Sequence, residues 1–205
     1  GAEGQYIMGA LVSGSIGLAL YPLDSMVIFP LMILGGIIGG ILWAMIPAIL
    51  KIRFNTNEIL VSLMLVYVAE QILALASVGF LRNPEGLGFP GSRDLSKYPS
   101  AANPELIANS GIHMGVIFSI IAVIVLTYFL IYHRLGFQIK LLGQAPKASK
   151  FSGVNSNYII IFCLGLSGGL AGVAGMFELT GPAGLINIDF NVGYGFTAII
   201  VAFLG

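Results

Sequence analysis

Long apolar runs separated by short polar stretches dominate the chain. The runs cover residues 6–21, 26–50, 59–80, 112–133 and 158–179, and a last one opens near residue 193 and continues to the chain end. About 20 apolar residues cross a bilayer as a helix. Four of the runs meet that length; 6–21 falls short of it. The pattern predicts an all-α, polytopic transmembrane helical bundle with about five spans plus a truncated or re-entrant sixth, forming a single membrane domain over residues 1–205. The short run is preceded by GAEGQ, which sets Glu3 and Gln5 directly against apolar residues. A glycine-interrupted start of this kind predicts a broken or re-entrant segment, because irregular backbone survives at membrane depth only where it faces protein or a cavity. Gly193, Tyr194, Gly195 and Phe196 open the last run in a similar way.

Small and polar residues inside the runs follow helical steps. Gly35, Gly36, Gly39 and Gly40 make two overlapping GxxxG pairs, and Gly165, Gly168, Gly172 and Gly175 recur at steps of three and four. Both sets predict seams where helix backbones approach closely. In 59–80, Tyr67, Glu70, Gln71 and Ser77 fall within about a third of the helix circumference at 100° per residue, which predicts one polar stripe turned inward. A charge at the centre of a membrane helix costs about 2.5–3.5 kcal/mol, so an acid there reads as functional. The competing reading is a protonated or tyrosine-bonded packing residue. Asn57 or Thr56 is the expected N-cap of this run. His113 and His133 stand at the two ends of 112–133, about 30 Å apart on one straight helix, and cannot share a metal.

The polar stretches differ in kind. Residues 22–25 form a tight turn. Residues 81–111 hold Pro84, Pro90, Pro99 and Pro104 with Gly86, Gly88 and Gly91, and balance Arg82, Arg93 and Lys97 against Glu85, Asp94 and Glu105. That density of Pro and Gly predicts irregular backbone lying across the bundle. Residues 134–155 carry Arg134, Lys140, Lys147 and Lys150 and no acid. Pro146 can open a short helix there, running to residue 152, and Gly153 can close it in a left-handed cap. Isolated helices below about 12 residues are marginal in water, so this one must pack on something. Alternation of spans puts Lys51 and Arg53 on the same side as 134–155, and the positive-inside rule makes that side cytoplasmic. Residues 22–25, 81–111 and 178–191 fall outside.

Composition agrees. The 205 residues are 57% hydrophobic and 9% charged, with a mean hydropathy of +0.96 and a formal net charge of zero. Soluble domains carry about 25% charged residues, so this is an integral membrane protein, with no global attraction to nucleic acid. The single Cys163 allows neither a disulfide framework nor a cysteine-based zinc motif. No GxxxxGK[ST] phosphate loop is present. The chain opens without Met and stops inside an apolar run, and reads as a fragment of a longer protein.

Four separated stretches carry a resemblance: GAEGQ at 1–5, NTNEILVSLM at 55–64, LGQAPKASKFSGVN at 142–155 and GYGFTAIIVAFLG at 193–205. Together they resemble the inner-membrane permeases of bacterial ABC importers, in the sugar, nucleoside and branched-chain amino acid branch. GAEGQ resembles the sugar and nucleoside members and is unlike the amino acid members. Gln144, Lys150 and Ser152 depart from the commoner choices of that family. The resemblance implies a non-enzymatic, multi-pass permease subunit of the bacterial cytoplasmic membrane, moving a nucleoside or simple sugar by alternating access. It implies a cytoplasmic coupling loop at 134–157 and an external loop at 81–111. It also implies separate ATPase subunits that hold ATP and Mg, a second permease subunit, an extracytoplasmic substrate-binding protein and surrounding lipid, with no cofactor on this chain. The coupling residues it points to are Gly143, Gln144, Ala145, Pro146, Lys147, Ala148, Phe151 and Gly153. Glu3, Gln5, Tyr67, Glu70 and Gln71 are the expected translocation path. One alternative is an ion-coupled secondary transporter or channel using Glu70. Another starts from Gly165-Leu166-Ser167-Gly168, which resembles the nucleophile motif of rhomboid intramembrane proteases, but no histidine follows it.

Overall fold

Glycine spacing decides which helices touch. In a computed structural model the described residues form eight α-helices: α1 Glu3–Ala19, α2 Ile28–Phe54, α3 Glu58–Val78, α4 Met114–Tyr132, α5 Arg134–Gln144, α6 Pro146–Phe151, α7 Ser156–Thr180 and α8 Tyr194–Leu204. The structure describes residues 2–204 apart from 22, 24, 87, 104, 108 and 109. Gly1 of the GAEGQ motif, Pro22 of the predicted turn, Pro104 of the predicted loop and the terminal Gly205 lie outside the described residues. Gly36 and Gly40 of α2 meet Gly172 and Gly168 of α7, and a Cβ added at Gly36 would stand 3.0 Å from the Gly172 carbonyl oxygen. The alternate glycines of α2 serve a second partner: Gly35 lies against Ser13 and Ile16, and Gly39 against Met8 and Val12, all on α1. Gly175 closes the triangle on Tyr6 and Ala10. So α1, α2 and α7 form the centre of the bundle. On α3 the buried residues are Val66, Ala69, Leu73, Ala76 and Ser77, and α3 packs mainly on α1. No described residue of α4 is buried.

Among the described residues four helices are long and apolar enough to cross a membrane: α2, α3, α4 and α7. This corrects the expectation of about five spans plus a sixth. At 1.5 Å per residue the 17 residues of α1 reach only about 26 Å, and α8 has 11 residues. Within GAEGQ the backbone is already helical at Glu3, and the Tyr6 N–H donates to the Ala2 carbonyl at 2.9 Å. Gly4 permits close packing on Trp43 and does not make a turn. Helix α2 runs past residue 50 to Phe54, where Asn55 at φ 51° terminates it. Lys51 and Arg53 in its last turn favour that end of the helix dipole.

The polar segments sort to two ends. Asn103 N donates to the Thr180 carbonyl, Ser92 N to that of Ile186 and Leu95 N to that of Gly184. The Tyr98 hydroxyl donates to the carbonyls of Leu20 (2.7 Å) and Leu23. The segment after α3 is thereby tied across the ends of α1 and α7. At the opposite end Lys51 pairs with Glu58 at 2.8 Å. Asn57 caps α3 by accepting from Ile59 N and Leu60 N.

Candidate functional site

Two regions collect the residues singled out by sequence. The first is the basic end. Residues 134–157 are not one loop: α5 is an amphipathic helix whose residues 135, 139 and 142 turn toward the bundle while Arg134, Phe137 and Lys140 stay exposed. His133 caps it, its Nδ1 accepting from Leu135 N at 3.2 Å. Helix α6 matches its predicted form, with Pro146 in the first turn and Gly153 at φ 72° beyond its end. Val154 N donates to the Ser149 carbonyl and Gly153 N to that of Lys150, the paired bonds of a Schellman cap. Ser149 is the buried residue of α6, so the helix leans inward on that side. Lys147, Ala148 and Lys150 are exposed, and Phe151 is 93% exposed. Gly143, Gln144 and Pro146 are exposed as well, and Ala145 is half-buried. A Cβ at Gly143 or Gly153 would meet nothing within 4 Å.

The second region lies at mid-depth. Gly4 packs on Trp43, which stands about 16 Å from the α2 end that carries Arg53. There the start of α1 meets the start of α8. The Glu3 carboxylate is fully buried, and its Oε2 accepts from the backbone N–H groups of Gly195 and Phe196, the latter at 3.2 Å. Glu70 on α3 reaches the same segment: its Oε1 accepts from Asn191 Nδ2 at 2.6 Å. Asn191 Oδ1 in turn accepts from Gly193 N at 3.3 Å, and Gly193 sits at φ 85°. The Tyr6 ring stacks on Phe190 with centroids 5.5 Å apart and meets Tyr194 edge-on at 6.1 Å. Residues 181–193 therefore descend as irregular backbone from the end of α7 to the level of Glu3. Several of their backbone N–H groups are taken up by protein: Ile186 by Ser92 Oγ, Phe190 by the Asn187 carbonyl and Gly193 by Asn191 Oδ1.

The structure brings Glu3 and Glu70 together around one segment; Gln5 is buried too, but two residues along α1 it points away from Glu3. It does not bring in the rest of the predicted stripe. Tyr67 is 67% exposed and Gln71 is exposed, while Ser77 is buried. The stripe straddles the edge of the buried face and does not turn inward as a unit. Sequence reasoning missed Asn191, Phe190 and Trp43. Asn191 had a signal: an amide two residues ahead of a glycine that opens a helix. In the GLSG stretch, Gly165 and Gly168 pack into the α7 seam and Ser167 points away from it.

Comparison with known proteins agrees with this architecture. The family profile described as branched-chain amino acid transport system, permease component, matches residues 1–205. The glucose ABC transporter permease of Haloferax volcanii is 31% identical over the whole of this chain and 56% of its own length. The nucleoside ABC transporter permease of Lactococcus lactis is 26% identical over the whole chain and 58% of its length. The guanosine ABC transporter permease of Bacillus subtilis is 26% identical over the whole chain and 59% of its length. The chain thus spans a little over half the length of these relatives. No solved structure matches it. With the profile matched from end to end, on a helical bundle of membrane-spanning length, the chain belongs to the permease family of branched-chain amino acid-type ABC transport systems.

Proposed function

We propose that this chain is the membrane-embedded part of a permease subunit in an ATP-driven importer of nucleosides or simple sugars, located in the bacterial cytoplasmic membrane. The observation that carries the reading is α6: a six-residue helix opened by Pro146 and closed by a cap at Gly153, which holds Phe151 almost wholly in solvent beside Lys147, Ala148 and Lys150. A helix this short is not stable alone. Exposing its aromatic residue to water is unfavourable and makes sense when a second protein covers it. ATPase subunits holding ATP and Mg are that partner. Their closure moves Gly143, Gln144, Ala145, Pro146, Lys147, Ala148, Phe151 and Gly153 as one surface. The chain itself carries out no covalent step.

The translocation path runs along the open side of α3, where Tyr67 and Gln71 face outward toward a second permease subunit. Glu3, Gln5 and Glu70 stand behind that wall. Residues 81–111 lie at the opposite end from α6 and receive an extracytoplasmic binding protein. The substrate class is supported by relatives named for glucose, nucleosides and guanosine.

The test uses the full-length permease with its ATPase in liposomes. ATP-dependent nucleoside uptake is compared between wild type and Ala148→Trp, after confirming that the variant inserts and folds. Loss of both uptake and ATPase docking in the variant supports the reading. Uptake without ATP, or an indifferent variant, defeats it and turns attention to Glu70 as an ion site.

A further inference from the structure

Helix α8 meets the described residues at its start. Of its residues only Gly195 is buried, and Ile200, Val201, Phe203 and Leu204 are all exposed. Its position relative to the bundle is set at its first turn, where two carboxylates from two different helices grip the six residues 191–196. Glu3 of α1 binds the Gly195 and Phe196 N–H groups. Glu70 of α3 binds the Asn191 amide, whose oxygen takes the Gly193 N–H. The close fit is mutual: a Cβ at Gly195 would collide with Glu3. An anion at a helix N-terminus is stabilising because it meets unsatisfied N–H groups and the positive end of the dipole. Removing an acceptor oxygen at this depth leaves orphan N–H groups.

We propose that Glu3 and Glu70 form a paired clamp that fixes the start of α8 to α1 and α3, and that both act in transport as positioning residues and not as ligands of the substrate. The second half of the proposal rests on the transport reading above; the first does not. Charge and hydrogen bonding make different demands. A clamp needs an acceptor oxygen of glutamate length, so Glu3→Gln retains it. Asp is one methylene shorter and does not reach both N–H groups, and Ala removes the acceptor. A cation or proton site needs the charge, so Gln fails there as badly as Ala.

The experiment measures two quantities on the full-length permease with its ATPase in lipid nanodiscs or liposomes. The first is hydrogen exchange of the peptide covering 191–200. Glu3→Ala raises exchange at Gly195 and Phe196 about tenfold or more, while Glu3→Gln stays near wild type. The second is ATP-driven uptake. Glu3→Ala lowers the maximal rate about tenfold with the half-saturating concentration unchanged, and Glu3→Gln restores most of it. Unchanged exchange in Glu3→Ala overturns the clamp. A raised half-saturating concentration with exchange intact makes Glu3 a substrate ligand and overturns the proposal. Faster exchange with normal uptake removes the clamp from the transport cycle. If Glu3→Ala does not insert, Asn191→Ala releases the second tie without altering α1 and is held to the same two readouts. If wild type moves no substrate, the transport reading fails while the exchange result still decides the clamp.

Discussion

At the residue scale the glycines of α2 and α7 are unequal in what they tolerate. Gly172 lies under Gly36 and Gly40 with backbone on every side, and the main-chain atoms it meets cannot swing aside as a side chain can. Gly172→Ala forces the seam apart, at a cost of about 1–3 kcal/mol, and lowers the thermal midpoint of the purified permease in detergent. Gly143→Ala, in open space, stays within about 0.5 kcal/mol and serves as its control. The seam was legible because steps of three and four are a direct reading of one helix face. The polar stripe of α3 shows where the same arithmetic stops. Counting 100° per residue from Tyr67, the buried Val66, Ala69, Leu73, Ala76 and Ser77 occupy an arc of about 180–280°. Glu70 falls at about 300° and Gln71 at about 40°. Periodicity says which residues share a face; only the neighbouring helices say which part of that face is inside. Glu70 reaches a partner because it borders the buried arc, and Tyr67 and Gln71 do not.

At the element scale, end signals explain more than apolar runs do. Pro146 and Gly153 delimit α6 with no help from hydrophobicity, so that helix could be read correctly. Helix α5 is not legible in the sequence, because Gly136, Gly143 and its charges hide the spacing of Leu135, Ile139 and Leu142. GAEGQ shows the limit of such signals: Gly4 is a packing glycine, and that role depends on Trp43 from another helix. The α6 cap gives a testable consequence. Gly153 is left-handed, a conformation that costs an L-residue about 1–2 kcal/mol, and a six-residue helix has little stability to spare. Gly153→Ala therefore loosens α6, and tryptic cleavage after Lys147 and Lys150 accelerates severalfold in the absence of the ATPase. Asn57 is the comparable point on α3. Its side chain takes two N–H groups in the first turn, and Asn57→Ala costs about 1 kcal/mol, seen as a lower thermal midpoint with uptake retained below that temperature.

At the scale of the whole molecule, the arrangement of polar segments fixes which ends go together. The turn after α1, the segment between α3 and α4 and the one after α7 are bonded to one another, through Tyr98 to Leu20 and through Ser92 and Leu95 to Ile186 and Gly184. They must lie on one side of the membrane whatever that side is. Lys51, Arg53, Arg134, Lys140, Lys147 and Lys150 all belong to the other. Placing six cations against a membrane with a negative interior favours the cytoplasm for that end, and the mixed charges of the first end carry no such preference: there Glu85 approaches Arg93 and Asp94 approaches Lys97. Single cysteines decide the orientation. With Cys163 changed to Ser, Phe89→Cys on the exposed tip of the first end reacts with a membrane-impermeant maleimide in intact cells. Lys147→Cys reacts only after the membrane is opened. Labelling of both in intact cells, or of Lys147→Cys alone, would reverse the orientation or break the spans. Because the first end is tied together by hydrogen bonds between segments far apart in sequence, no single helix can invert independently, so one pair of cysteines tests the orientation of the entire bundle.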